Sequence, residues 1–272
     1  MHGIAASVWG CTTTMLIIIA AICLFTAMFA LMEAGRRVGA RHRTRYPDRA
    51  GLGLGAIEGS VFGLMGLLVA FTFSGAGVRF DTRRQLIGQE ANAIGTAYLR
   101  VSLLPKNTQP ELRAKFRQYI EARIAYYQVL PDGAAAEREQ NRFTALQADI
   151  WNRAVEATRE ATGNTNGNTV TSLVVQSLND MIDITTTRFV ATKTHPPLII
   201  FGMLLAVVLA CSLLAGYGIA ANPERCWIHT MVFVSILTVT VLLILDYEYP
   251  RFGLIRIDPL DQVLVGVRSS MQ

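Results

Sequence analysis

The residues placed to do chemistry in this 272-residue chain stand out by depth and by neighbours, not by motif. Glu33 and Glu58 lie at the ends of apolar runs, where an ionised carboxylate is costly unless it is paired or hydrated. Arg36, Arg37 and Arg49 are near in sequence, so pairing is favoured there over an ion site. Glu90, Asn92 and Arg100 form one polar cluster, and Asn179, Asp183 and Arg188 another. Glu90 is expected to accept from an arginine of another helix, with Arg188 the leading candidate. Asn92 is only two residues on, so it faces elsewhere and should bond to backbone or to a different helix. Ligand recognition is the alternative use of both. Asp246, Glu248 and Asp258 make a thin acidic group with enough oxygens to invite Ca²⁺, though pairing with Arg251 or Arg256 fits better.

No reaction follows from these groups. The sequence has no glycine-rich phosphate loop, no H-E-x-x-H and no G-x-S-x-G elbow. Cys11, Cys23, Cys211 and Cys226 lack metal-ligand spacing, and the four histidines are scattered. No catalytic residue, metal or cofactor is expected, and an enzyme is disfavoured. The formal charge is +5, with 22 Arg against 3 Lys. In a soluble protein that balance would suggest nucleic acid. Here six arginines fall between Arg36 and Arg49, beside an apolar run, and no nucleic-acid motif accompanies them. The expected partner is a lipid bilayer, with no nucleic acid.

The elements that must carry these groups are membrane spans and helices. Hydrophobic residues make up 51% of the chain. Four apolar runs are long enough to cross a bilayer: Val8 to Glu33, Ala56 to Val78, Leu198 to Ala221 and Ile228 to Leu245. The expected organisation is a first span pair with a basic loop (1–78), an extramembrane helical domain (79–197), a second span pair (198–247) and a tail with a short amphipathic helix (248–272). The fold class is therefore all-α, with four transmembrane helices and a helical bundle inserted between the second and third. The first span reads as a retained anchor, because no short apolar core with a small-residue cleavage site is present. The arginine-rich segment 36–49 is expected in the cytoplasm by the positive-inside rule. That puts the N-terminus, the polar domain and the C-terminus outside.

No proline lies between Asp48 and Pro105. The stretch from Ala56 to Leu104 therefore reads as one long helix that crosses the membrane and continues as a stalk. At about 1.5 Å per residue it would reach roughly 74 Å, against a hydrocarbon core of about 30 Å. Its apolar half carries Gly55, Gly59 and Gly63 four apart, a face for close packing on another helix of the chain or between subunits. Phe62, Val69 and Phe73 recur at seven and four. They form a candidate pore stripe, with Glu58 one turn before them, or else they fill the core of a four-helix unit. Beyond Arg79, the positions Phe80, Ile87, Ile94 and Val101 are seven apart and should pack inside the polar domain. Three more helices are expected there. The first bears Leu112, Phe116, Tyr119 or Ile120, Arg123 and Tyr127 at helical spacing. The second bears Phe143, Leu146, Ile150, Ala154 and Ala157. The third bears Val174, Leu178, Met181 or Ile182, Thr185 and Phe189. Pro196 and Pro197 should break the chain before the third span. Pro259 opens a last helix with Leu260, Val263, Leu264 and Val267 on one face, which docks on the bundle or lies at the membrane interface.

Several of these segments resemble a known family. They are the run from Ala56 to Gly75, the Arg79 to Arg84 segment and the block Glu90-Ala-Asn-Ala-Ile-Gly-Thr-Ala-Tyr-Leu-Arg100. Asn179 and Asp183, Leu245 with Asp246, and Gly253 to Asp258 fit as well. Together they are similar to the bacterial bestrophin-like domain family of four-span membrane proteins. The resemblance implies residence in the bacterial inner membrane. Its kinship with bestrophins implies a homo-oligomeric channel that passes small ions and has its second helix beside the pore. A non-conducting sensor, scaffold or partner subunit with a binding domain is the competing expectation, because no span carries a polar stripe of the kind that lines most ion paths.

Overall fold

The computed structural model describes residues 2–46, 54–130, 132–161, 167–220, 227–251 and 253–271. Every regular element among them is helical. The α-helices are α1 (His2–Arg45), α2 (Leu54–Arg100), α3 (Gln109–Val129), α4 (Gly133–Ala161), α5 (Gly167–Lys193), α6 (Leu198–Ile219), α7 (Trp227–Glu248) and α8 (Gln262–Ser270). A 3₁₀ turn (Val101–Leu103) closes α2 before Pro105, and another (Asp258–Asp261) leads into α8. The chain forms two compact units. One comprises Met1–Trp9, Asp81–Thr194 and Arg256–Gln272, and the other Gly10–Phe80 and His195–Ile255.

The second unit holds the apolar helices. Among the described residues, four helices are long and apolar enough to cross a membrane. Their outward faces carry large apolar side chains, such as Leu16, Ile19 and Ile22 on α1, Leu198 and Ile199 on α6, and Ile228 and Ile236 on α7. Met28, Met32, Leu204, Val208, Val234 and Ile244 fill the inside. The arginine-rich segment expected as a loop is helical as far as Arg45, because α1 runs on past its apolar part. Arg36 reaches back to Glu33 through two bonds of 3.1 Å, and Arg37 adds one of 3.2 Å. Arg49 lies outside the described residues.

Close helix packing within the chain falls on glycines other than the expected ones. A Cβ added at Gly35 of α1 would lie 2.0 Å from the Leu213 carbonyl oxygen of α6, and one at Gly216 would lie 1.9 Å from the Met32 carbonyl oxygen. Gly39 is similarly close to Tyr217 and Ala220. Gly55, Gly59 and Gly63 have no described atom within 4 Å of that position. The packing expected for this ladder inside the chain is therefore corrected: α1 and α6 make the backbone-close crossing, and the glycine face of α2 is left open.

The first unit is a helical bundle. Ile87, Ala91, Ile94, Tyr98 and Val101 of α2 and its closing turn are buried with Phe116, Tyr119 and Ile120 of α3. Phe143 and Ile150 of α4 and Val174, Leu178 and Met181 of α5 complete the core. α8 docks on it through Leu264, which has no exposed surface. Arg83 donates from Nε to the Ala191 carbonyl and from Nη2 to the Thr194 carbonyl, so a cation closes the C-terminal end of α5.

Gly216→Ala should lower the stability of the apolar unit by about 1–3 kcal/mol, since backbone must move to admit one methyl group. Gly63→Ala should leave the unfolding of a single chain unchanged. Thermal unfolding of both variants in detergent checks this; equal melting temperatures would deny the α1–α6 crossing.

Candidate functional site

The centre of the helical unit is ionic. Glu90 of α2 has no exposed surface, and Arg123 of α3 and Arg188 of α5 are 2% and 3% exposed. Each element supplies its group from its buried face. On α3, Arg123 follows Phe116, Tyr119 and Ile120 at helical spacing, and on α5, Arg188 follows Leu178, Met181 and Thr185. Arg123 donates from Nε to Glu90 Oε1 at 2.6 Å and from Nη2 to the Tyr127 hydroxyl. Arg188 donates from Nη1 to Glu90 Oε2 and from Nη2 to Asp261 Oδ1, the latter at 2.6 Å. The Tyr127 hydroxyl completes the set by donating to Glu90 Oε2 at 3.1 Å. The Arg188 guanidinium lies over the Tyr127 ring at 3.6 Å, and that of Arg123 over Phe143 at 4.3 Å. A neutral network sits alongside, where Gln147 donates to the Tyr119 and Thr185 hydroxyls at 3.1 and 3.2 Å.

Burial works against the Glu90 carboxylate, but the charges and hydrogen bonds of Arg123 and Arg188 outweigh it and hold its pKa below the ordinary carboxylate value. Burial, reinforced by the Glu90 charge, pushes the Tyr127 hydroxyl well up, so it remains a donor. Burial also opposes the Arg123 charge, yet Tyr127 and Glu90 keep its pKa above the usual arginine value.

A second buried carboxylate ends α7. Glu248, with no exposed surface, accepts from Arg79 Nε at 2.8 Å and lies 2.9 Å from His195 Nδ1. Asp246 accepts from the backbone N–H groups of Leu254 and Ile255 at 2.8 and 2.7 Å. Gly253 makes that turn possible, because a Cβ there would fall 1.3 Å from Asp246 Oδ1. These carboxylates therefore organise helix ends. Among the described residues no group of histidine, cysteine or acidic side chains could hold a metal.

The bestrophin-like domain model matches residues 21–261. The chain belongs to the bestrophin-like family. Its fold is similar to crystal structures of single-residue variants of a bacterial bestrophin homolog from Klebsiella pneumoniae. One matches with a TM-score of 0.66 at 15% identity, covering 92% of this chain and 96% of that one. Another matches with a TM-score of 0.62 at 16% identity, covering 90% and 96%. No curated protein matches the chain. Family and apolar helices together make this bestrophin-like chain an integral membrane protein.

The structure brings some of the sequence-derived residues together and separates others. Glu90 and Arg188 meet, and Arg100 donates from Nη1 to the Leu173 carbonyl at 2.5 Å. Asn92, Asn179 and Asp183 do not join the polar network; all three are exposed. Asn92 lies about 200° round the helix from Glu90, and Asn179 and Asp183 fall off the buried face of α5. The candidate pore stripe makes contacts within its own chain, and Phe73 stays 42% exposed. Phe62 meets Phe233 of α7 edge-on at 6.2 Å, Phe73 meets Tyr247 at 5.6 Å, and Val69 packs on the apolar core. Glu58 is half-buried on that same inner side, beside Gly218 of α6, and has no hydrogen bond or ion pair among the described residues. Arg123 and Tyr127 are the functional-site residues that the polar-cluster reading left out. Their signal was a cation in the middle of an apolar helical stripe, which demands a buried anion.

Glu90→Gln should cost about 3–5 kcal/mol by leaving two buried guanidiniums short of their anion. The lowered native pKa of Glu90 also sets a sign. Its contribution is full above the ordinary carboxylate pKa and is lost as pH falls through the depressed native value. Melting temperature against pH should therefore fall more steeply on the acid side for the parent protein than for Glu90→Gln; parallel curves would contradict the charged triad.

Proposed function

We propose that the protein is the subunit of a homo-oligomeric ion channel in which α2 of each copy faces a shared axis. One observation carries the reading. Ser60, Gly63, Leu67, Ala70 and Ser74 recur at alternating three and four along α2, and all five are exposed. Neighbouring Gly59, Gly63 and Gly66 have no described atom nearby. The free faces of α1, α6 and α7 present large apolar side chains, as lipid-facing helices do. On α2 the glycine, alanine and serine of the seam leave room for close approach of another helix around Leu67, which is exposed with Leu64 and Phe71 beside it. An alternating three-four repeat keeps one seam toward an axis over several turns. Leu67 would then form an apolar ring that gates by dewetting, with the hydroxyls of Ser60 and Ser74 on either side of it. Membership of the bestrophin-like family supports the same reading.

Purified full-length protein in liposomes should pass small ions, and its mass in detergent should be a multiple of one chain. Leu67→Ala should raise flux several-fold by widening the ring, and Gly63→Leu should break the assembly. A monomer, or an assembly in which Leu67→Ala changes nothing, would overturn the assignment of α2. An intact assembly without flux would favour a non-conducting scaffold or sensor.

The orientation we propose follows the arginines between Arg36 and Arg49. It places that segment in the cytoplasm and the helical unit and C-terminus on the outer side of the inner membrane. A reporter fused after Gln272 that works only outside the cytoplasm should be active; activity of a cytoplasm-only reporter at the same place would reverse the orientation.

A further inference from the structure

The helical unit contains a cavity of about 210 Å³ bounded by α3, α4 and α5. Its wall joins Arg123 to the rings of Tyr126, Phe143 and Phe189 and to the polar side chains of Gln140 and Thr144. Apolar walls with a few convergent polar groups are the usual make-up of a small-molecule site.

Arg123 is the unusual member. It uses its Nε and Nη2 on Glu90 and Tyr127, while its Nη1 has no hydrogen-bond partner among the described residues. Arg123 Nη1 is not among the buried side-chain atoms left without a partner, so it keeps access from the cavity it lines. Phe143 at 4.3 Å and Tyr127 at 4.9 Å lie against the guanidinium. Glu90 is already engaged by Arg123, Arg188 and Tyr127. An accessible guanidinium N–H that lines a cavity can take an acceptor there, and a charged donor favours an anionic one.

We propose that this cavity binds a small organic monocarboxylate, with a carboxylate oxygen on Arg123 Nη1 and an apolar body against the aromatic wall. The volume fits this class. A cavity of about 150 Å³ accepts benzene, so this one has room for a ring and one carboxylate. A cation is repelled by Arg123. A dianion such as phosphate would meet aromatic rings on the side where it needs further donors. The site does not depend on whether the assembly conducts.

Benzoate is the probe, and benzamide its neutral counterpart of the same shape. Titrated into the full chain in detergent, benzoate should give a saturable heat of binding and a rising melting temperature. Benzamide should bind at least about tenfold more weakly, because it lacks the charge-assisted bond. Thr144 is exposed on α4 at the cavity wall, so Thr144→Trp should block the site and abolish the benzoate response without changing ligand-free melting. Should that variant melt lower by itself, Gln140→Trp blocks the same cavity from the preceding turn and is read in the same way. Equal binding of benzoate and benzamide, no saturable response to benzoate, or a response that survives both tryptophans would overturn the proposal.

Discussion

A carboxylate with no exposed atom costs several kcal/mol in an apolar bundle unless cations and donors surround it. Glu90 meets that demand from three directions, and the demand fixes much of the helical unit. Arg123 must present its Nε edge from α3, Arg188 must reach across from α5, and Tyr127 must sit one turn beyond Arg123. Asp261, just before α8, takes the remaining end of Arg188 and ties the C-terminal segment to the same charge. Such a cluster contributes little net stability compared with an apolar replacement of equal volume. What it contributes is register. A helix shifted by one residue would rotate its member by about 100° and leave a buried charge unmet. Leu264, Ile94 and Phe116 would pack against many partners; Glu90 accepts only one arrangement.

The same logic recurs where helices end. Glu248 is neutralised by Arg79 at the close of α7, Asp246 satisfies two backbone donors of the turn that follows, and Arg83 covers the last carbonyls of α5. Each places a formal charge where helix geometry leaves groups without partners. The acidic residues near the end of α7 thus read as structural fasteners, which accounts for their density without a bound metal.

Length and hydropathy made the four apolar helices legible in the sequence, and prolines made the breaks at Pro105 and Pro196–Pro197 legible. The Glu90–Arg188 pair was also within reach, because a family-like block placed one acid opposite one base. Three features were not. The 3.6-residue period extends α1 through a segment whose composition suggests a loop, since arginine is itself a good helix former. Asn92, Asn179 and Asp183 carry the right chemistry on the wrong faces, and only the neighbours' positions decide which face is buried. Arg123 was visible in its apolar stripe, but a stripe does not say which element supplies the anion.

The glycines show why pattern alone misassigns contacts. Gly35 and Gly39 are four apart on α1, and Gly59 and Gly63 are four apart on α2, so both ladders announce close approach equally. One ladder is filled, by the backbone of α6. The other has no described atom within 4 Å of an added Cβ, while Phe62 and Val69 pack toward the core and Phe73 meets Tyr247 with much of its ring still exposed. The open face of α2 is mixed: its glycines and serines stand beside exposed Leu64, Leu67 and Phe71, whereas the exposed large residues of α1, α6 and α7 are mostly leucine, isoleucine and valine. Lipid tails would gain less contact from glycine and serine than from the leucine and isoleucine of the other three helices. The glycine ladder of α2 is thus the part of the open face that a close helix neighbour would use, and the bulky residues beside it are the part that suits lipid.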